Sequence, residues 1–532
     1  MNAPTHAPMI PLIPDSAPFS PEQRAWLSGF LAGALALETG AAPVGAPNTQ
    51  TSLTDTQQDD EAPWHDPAMP LDERMKLADG KPLARRMMAA MAQQDCGQCG
   101  YDCAAYSKAI AEQAEGRLNL CSPGGKETAR MLKKLIEETG GGVTGPDERA
   151  AANPVTRHQA ETLGYSGSTP VDARFLSRRR LNGEGSEKVT NHIEIDLSLS
   201  DVTYDVGDSL GVFARNDPHL ADAIIAAIDA PADFPIAGKS LRDTLIEDMS
   251  LGAAPDMLFQ LLSYLVGGER RAKAQALSRG EDPDGDAPTL DVLGALEKFS
   301  GTRPDPEAFV ESLEPLQPRL YSISSSPRAQ PGRVTLTIDT VRYTLNARTR
   351  LGVASTWFAE RLPEGTKLKV YVQKAHGFAL PQDTLVPIIM VGPGTGIAPF
   401  RAFLQERQVQ KAQGGAWLFF GHQHEKSDFL YRDELTQFLA AGTLSKLSTA
   451  WSRDSSEKVY VQDRMREAGA ELWDWLTKGA HFYICGDAKR MAKDVEQALT
   501  DIACAHGKLG ASEAKAFLAD LKKTARYQAD VY

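Results

Sequence analysis

The rhythm of apolar and polar positions changes along the chain, and each change marks a unit. Residues 1–70 carry little periodicity. A short helix is predicted from Ser20-Pro21-Glu22 into Leu27, with Ser20 as N-cap and Pro21 at the first helical position. A stretch rich in Ala, Pro, Thr, Gln and Asp follows and reads as disordered linker. Residues 71–137 form a small unit, mostly helical, that closes on a Lys/Glu-rich helix predicted over Lys126–Glu138. A polar linker, 138–153, opens with Gly140, Gly141 and Gly142. From 154 the pattern turns to strands: Val189–Leu197, Tyr204–Phe213 with the turn Val206-Gly207-Asp208 in it, Arg319–Ser324, Val334–Val341 and Lys367–Val372. A helical insert at about 218–312 interrupts them, so 154–384 is expected to be an antiparallel β-barrel with an insert. Over 385–532 strands alternate with helices. Pro387–Val391, Trp417–Gly421, Lys446–Trp451 and His481–Cys485 predict an α/β, doubly wound parallel sheet.

At 532 residues the chain is long enough for several cores. Hydrophobic residues at 42% and charged residues at 24% are those of a globular protein. A net charge of −13 argues against nucleic-acid binding. No run of 18 apolar residues appears, and Met1–Ser20 has no secretory pattern, so a cytoplasmic protein without a membrane span is expected.

The candidate chemistry begins at the strand Ile388–Val391, which runs into Gly392-Pro393-Gly394-Thr395-Gly396. A Gly-rich turn between strand and helix lets a phosphate meet backbone N–H groups at the helix start, although such turns also close plain βα junctions. Cys485-Gly486-Asp487 sits at another strand end, where ligands of open α/β sheets gather. Ser452, Arg453 and Lys458 follow a third strand end, with Tyr460 and Gln462 beyond. Two cations, a hydroxyl and an amide suit a ribose 2′-phosphate, and a solvated loop is the other reading.

These motifs, with Arg319-Leu320-Tyr321-Ser322 and Gly352-Val353-Ala354-Ser355, resemble the FAD and nicotinamide loops of the ferredoxin–NADP reductase family. The long helical insert narrows the resemblance to its diflavin reductase branch. Within that branch, Arg526–Tyr532, Ala450–Asp454, Lys458–Asp463 and Met491–Leu499 resemble the sulfite reductase flavoprotein family. The resemblance covers about 155–532. It implies that Arg319 holds an FAD phosphate, that Tyr321 packs on the isoalloxazine and that Ser322 lies beside flavin N5. Leu320, Thr337, Ile338, Asp339 and Tyr343 match further FAD contacts, and Gly352, Val353, Ala354 and Ser355 match the pyrophosphate loop. Tyr532 would cover the flavin face that nicotinamide needs. Ser322, Cys485 and Asp530 match the polar set that steadies hydride transfer. Gly394, Thr395, Ser452, Arg453, Lys458, Val459, Tyr460, Val461, Gln462 and Asp494 match NADP contacts. That branch carries an N-terminal flavodoxin-like FMN domain. The first 150 residues here show no strand–helix alternation, so FAD without FMN is expected.

Four of the six cysteines lie within 26 residues, as Cys96-x2-Cys99-x3-Cys103-x17-Cys121. Clustered thiols in a chain with few cysteines point to a metal site. Four thiolates ligate a [4Fe-4S] cluster or a structural zinc. The spacing lacks the paired C-x2-C of zinc sites, and Cys99 to Gly125 resembles the small four-iron domain of membrane electron-transport complexes and corrinoid iron–sulfur proteins. The cluster is therefore favoured. Cys504 reads as a core residue of a helix.

The expected function is an electron relay: NADPH to FAD, FAD to the [4Fe-4S] cluster, and on to the sirohaem and iron–sulfur haemoprotein subunit of sulfite reductase. A homo-oligomer is compatible with this reading. An NADPH reductase for another acceptor, such as a cytochrome or oxygenase, and a reductase with a zinc docking module are the alternatives.

Overall fold

The computed structural model describes residues 62–66, 69–94, 99, 101–121, 123–138, 162–375, 377–488 and 490–532. All of these but Ala62 belong to one compact unit, Pro63–Tyr532. The predicted helix at 20–27, Cys96 and most of both predicted linkers lie outside the described residues. Within the first linker, however, Trp64 is described and is buried, which corrects a wholly disordered reading of 41–70.

The cysteine module comprises α1 (Leu71–Leu77), α2 (Leu83–Ala90), α3 (Cys103–Ala111) and α4 (Gly125–Glu138). Asp102 caps α3, its carboxylate accepting the Ala105 N–H at 2.6 Å. The module has its own core, with Met87, Met88, Tyr106, Ile110, Leu132 and Leu135 among its residues.

Six strands make an antiparallel sheet: β1 (Val171–Arg180), β2 (Thr190–Asp196), β3 (Ser209–Val212), β6 (Arg319–Ser322), β7 (Arg333–Asp339) and β10 (Lys367–Gln373). Their order is β6-β3-β10-β1-β2-β7, and a bridge between Ile323 and Leu336 joins the two edges. Phe175, Ile193, Ile195, Val334, Leu336 and Val370 fill its interior. Within the predicted segment Tyr204–Phe213, the expected turn Val206-Gly207-Asp208 precedes β3. Gly207 has φ +106°, and a Cβ there would stand 2.0 Å from Phe378 O. Asp208 is buried in that turn and accepts the N–H groups of Asp205 and Ala375.

The insert holds α5 (Pro218–Ile228), α6 (Leu241–Glu247), α7 (Asp256–Leu265), α8 (Gly268–Ser278), α9 (Val292–Lys298) and α10 (Pro306–Glu311) around a separate core. It is not wholly helical. The short strands β4 (Pro235–Ile236) and β5 (Lys239–Ser240) form a hairpin within it. A second hairpin, β8 (Arg342–Leu345) with β9 (Arg348–Leu351), turns through Asn346 and Ala347, both at positive φ.

The C-terminal sheet is wholly parallel, in the order Lys446–Trp451, Ala416–His422, Ile388–Val391, His481–Gly486 and Tyr527–Val531. Its strands are β11 (Ile388–Val391), β12 (Ala416–His422), β13 (Lys446–Trp451), β14 (His481–Gly486) and β15 (Tyr527–Val531). The fifth strand corrects the four-strand expectation. Apolar cores cover both faces, as doubly wound sheets require. Among the described residues no helix is long and apolar enough to cross a membrane.

Candidate functional site

Strand register builds the first site. Cys485 and Asp530 are paired residues on β14 and β15. Ser322 ends β6 on the antiparallel sheet. Asp530 Oδ2 accepts the Ser322 hydroxyl at 2.5 Å and the Cys485 thiol at 3.6 Å. Three predicted residues from distant parts of the chain therefore meet at one carboxylate. Burial raises the Asp530 carboxyl above the ordinary aspartate range, opposed by its two donors. Burial and the Asp530 charge push the Cys485 thiol well up.

Tyr532 stands next to this group. Its N–H donates to Gly486 O at 3.1 Å, and its hydroxyl lies 2.9 Å from Thr395 Oγ1. The ring lines a cleft of about 460 Å³ with Gly394, Thr395, Gly486, Asp487, Lys188 and Asp339. That volume is within the usual small-molecule range of about 300–1,000 Å³. The loop 392–396 enters the cleft and leads into the helix Ile397–Gln410. Gly396 is packed so tightly on β14 that a Cβ would stand 2.1 Å from Cys485 O.

The predicted FAD positions surround the sheet edge. Arg319, Leu320, Tyr321 and Ser322 are half-buried on β6, and Tyr321 packs edge-on to Phe358. Ile338 points into the sheet core, and the Thr337 hydroxyl bonds the Tyr431 hydroxyl at 2.7 Å. Backbone, not side chain, is what these two offer a ligand. Asp339 pairs with Lys188 at 3.0 Å, while Tyr343 is exposed on β8. Gly352 precedes the turn Val353–Thr356, with Ala354 and Ser355 buried. A Cβ on Gly352 would stand 2.5 Å from Ser355 Oγ, so the cradle admits only glycine without adjustment.

The predicted 2′-phosphate residues follow β13. Ser452 Oγ bonds His422 O at 3.3 Å, and exposed Arg453 is ion-paired with Glu187 at 2.5 Å. Lys458 and Tyr460 are exposed, Val459 is half-buried, and Val461 is buried at a helix start. Gln462 bonds Asp494 at 3.3 Å. Glu187 and Lys188 are additions that the sequence reading missed. They lie on a loop held by the buried carboxylate of Asp428, which accepts from Asn182, Ser186 and the His424 N–H. An isolated Glu-Lys pair between strands carries no signal of its own. Cys504 is half-buried on its helix, not core.

In the second site, Cys99, Cys103 and Cys121 line one small pocket with Met91, Ala92, Gln94, Tyr101, Tyr106 and Pro123. The pocket is about 10 Å³. Cys103 and Cys121 are buried, and Cys99 is half-buried with its thiol raised by burial. Buried Arg74 reaches the pocket wall by donating to Met91 O, and its positive charge feels Cys103 and Cys121. Among the described residues no three His, Cys, Asp or Glu side chains are placed to hold a metal ion. The donor chemistry nevertheless suits thiolate ligation: three thiols line one pocket, a buried cation lies near them, and Cys96 is the fourth residue of the motif.

Comparisons with known proteins define the class. Residues 165–266 and 284–357 match the family described as FAD binding domain. Residues 390–497 match the oxidoreductase NAD-binding domain. The fold is therefore multidomain, with flavin- and dinucleotide-binding parts. The chain is 40% identical over 431 residues to the sulfite reductase (NADPH) flavoprotein alpha-component of Bacillus subtilis, covering 80% of this chain and 70% of the relative. It is 38% identical over 416 residues to that of Photorhabdus laumondii, covering 76% and 67%. For the Shigella dysenteriae protein the identity is 40% over 401 residues, covering 73% and 65%. The chain belongs to the family of sulfite reductase flavoprotein alpha-components, NADPH oxidoreductases, and spans about two thirds of the length of these relatives.

Proposed function

We propose that this chain is the electron-entry component of an NADPH-dependent sulfite reductase, passing electrons from NADPH by way of FAD and a [4Fe-4S] cluster to a sirohaem and iron–sulfur haemoprotein that reduces sulfite to sulfide. The meeting of Ser322, Cys485 and Asp530 beside the cleft carries the reading. Bound FAD would supply the two-electron to one-electron conversion, and a cluster would supply a one-electron store.

The protein's own part is positioning and polarity. Arg319 would hold flavin phosphate, the Gly352–Ser355 turn the pyrophosphate, and the bridged antiparallel sheet would serve as the flavin barrel. Ser452, Arg453 and Lys458 would hold the 2′-phosphate of NADPH, which requires Arg453 to release Glu187. Asp530 holds the Ser322 hydroxyl and the Cys485 thiol by hydrogen bonds, fixing their orientation beside the place where the flavin and nicotinamide would meet. Tyr532 would yield its place to nicotinamide. Cys96, Cys99, Cys103 and Cys121 would ligate the cluster, with Arg74 opposing its charge.

Metal, sulfide and flavin analysis of the purified protein tests this. Four iron, four sulfide and one FAD without FMN are expected. Zinc in place of iron, or stoichiometric FMN, overturns the relay.

A further inference from the structure

Helix α4 does two things with one turn. It closes the cysteine pocket: Gly125 N–H donates to Cys121 O at 2.9 Å, Pro123 lines the pocket, and a Cβ on Gly124 would stand 3.0 Å from Cys121 Sγ. The same turn rests on the helical insert. Lys126 Nζ donates to Ala254 O, lies 3.7 Å from Asp256 Oδ1, and stands 5.8 Å from the centre of the Phe259 ring. One turn later Arg130 Nη2 lies 3.1 Å from the same Asp256 oxygen. Its guanidinium covers Gly280, where a Cβ would come within 2.6 Å of Arg130 Cζ. Burial lowers the Lys126 pKa, with Asp256 and Glu314 opposing that effect.

One carboxylate thus takes two cations from positions i and i+4 of a helix more than a hundred residues away in the chain. Separate surface pairs rarely converge this way, and a backbone carbonyl, an aromatic face and a fitted glycine accompany them. We propose that Asp256 is the anchor that docks the cysteine module on the helical insert and thereby orients the pocket of Cys99, Cys103 and Cys121 against the flavin lobe. Half-exposed ion pairs are individually weak and screened by salt. Between segments of one chain, however, a small preference fixes the population, because the partner's effective concentration is high. The docking stands on geometry alone; its consequence for electron flow rests on the relay proposed above.

Carbodiimide coupling of the full chain, read by peptide mass spectrometry, tests the anchor. A Lys126–Asp256 amide should form at low salt and fall about five-fold or more as salt rises to roughly 1 M. The Lys239–Asp248 pair, 2.8 Å apart within the insert, is the control. Asp256→Lys should expose α4 to proteolysis, and the triple exchange Asp256→Lys, Lys126→Glu, Arg130→Glu should restore protection and coupling between the exchanged positions. Lys126→Gln with Arg130→Gln, which leaves the insert untouched, should loosen α4 in the same way. Delivery of electrons to the haemoprotein should drop about five-fold in Asp256→Lys and recover in the exchange, while NADPH still bleaches the flavin normally. Coupling of the control without Lys126–Asp256, or an exchange that restores nothing, overturns the anchor. A preparation holding zinc defeats the relay alone, because the coupling still decides the docking.

Discussion

In the cleft, the reactive side chains stand where strand register puts them. Cys485 faces Asp530 because β14 and β15 pair in parallel, and Ser322 arrives on a strand of the other sheet. Their hydrogen bonds are made from protein groups alone. In the cysteine pocket, the thiols come from loops and helix starts: Cys99 from a turn, Cys103 from the first residue of α3, Cys121 from the loop before α4. They line one pocket of about 10 Å³ but share no ligand geometry among the described residues. A sheet edge can be prebuilt for a ligand that comes and goes. A thiolate set, whose anionic charges would repel, would be completed by the cluster proposed for it.

The sharpest way to break this contrast is at the thiols. Replacing Cys99 and Cys103 by Ser should abolish iron binding, since a hydroxyl is a poor substitute for thiolate. Reduction of the haemoprotein should fall to background while NADPH bleaches FAD at a near-normal rate. If sulfite reduction survives in a folded, iron-free variant, the module is only structural.

A smaller effect is expected in the cleft. Arg453→Ala with Lys458→Ala should raise KM for NADPH about ten-fold per residue, as lost charge-assisted bonds cost about 1.5–3 kcal/mol, less where exposed. KM for NADH should barely move. Equal effects on both would mean that the loop after β13 is merely solvated.

Removing Tyr532 should shift preference several-fold towards NADH, as both dinucleotides must displace the ring but only NADPH has a phosphate anchor to drive it. Its bonds to Gly486 and Thr395 are few, so the fold should be kept. Unchanged selectivity would make Tyr532 a packing residue.

The sequence was most legible where one signal decides the structure. The strand Lys446–Trp451 and the helix ending at Glu138 are in place to within a residue, because apolar period and flanking breakers agree. Strand β1 was missed: it alternates only from Val171 to Phe175 before a run of three arginines. Strand β15 was missed because it is a short edge strand in which only Tyr527 is buried and apolar and polar residues mix without a run that marks a strand. Tyr532 and Asp530 were found only through resemblance; nothing in Tyr527–Tyr532 alone points to the cleft. The contacts that align the two lobes were not legible at all. They join residues such as Asn182 and Asp428, whose partnership no local pattern encodes.

The subtlest test concerns the junction on which the prebuilt cleft depends. His192, on β2, bonds the Tyr431 hydroxyl at 3.0 Å, and Tyr431 also bonds Thr337 and lies under the Arg401 guanidinium. Burial, then the charges of Arg401 and Arg179, lower the His192 pKa from 6.5 to about 3. The folded protein therefore keeps this imidazole neutral down to about pH 3, while the unfolded chain protonates it below about 6.5. The unfolded state binds the extra proton across that window, so stability is present above 6.5 and is lost as pH falls towards 3. His192→Gln should lose about 1 kcal/mol at neutral pH with the Tyr431 bond. It should also escape the acid penalty, so thermal melts of variant and parent should converge, then cross, between pH 6.5 and 3. Melting curves that stay parallel across the window would show that the junction opens to solvent and that the cleft is less prebuilt than its hydrogen bonds imply.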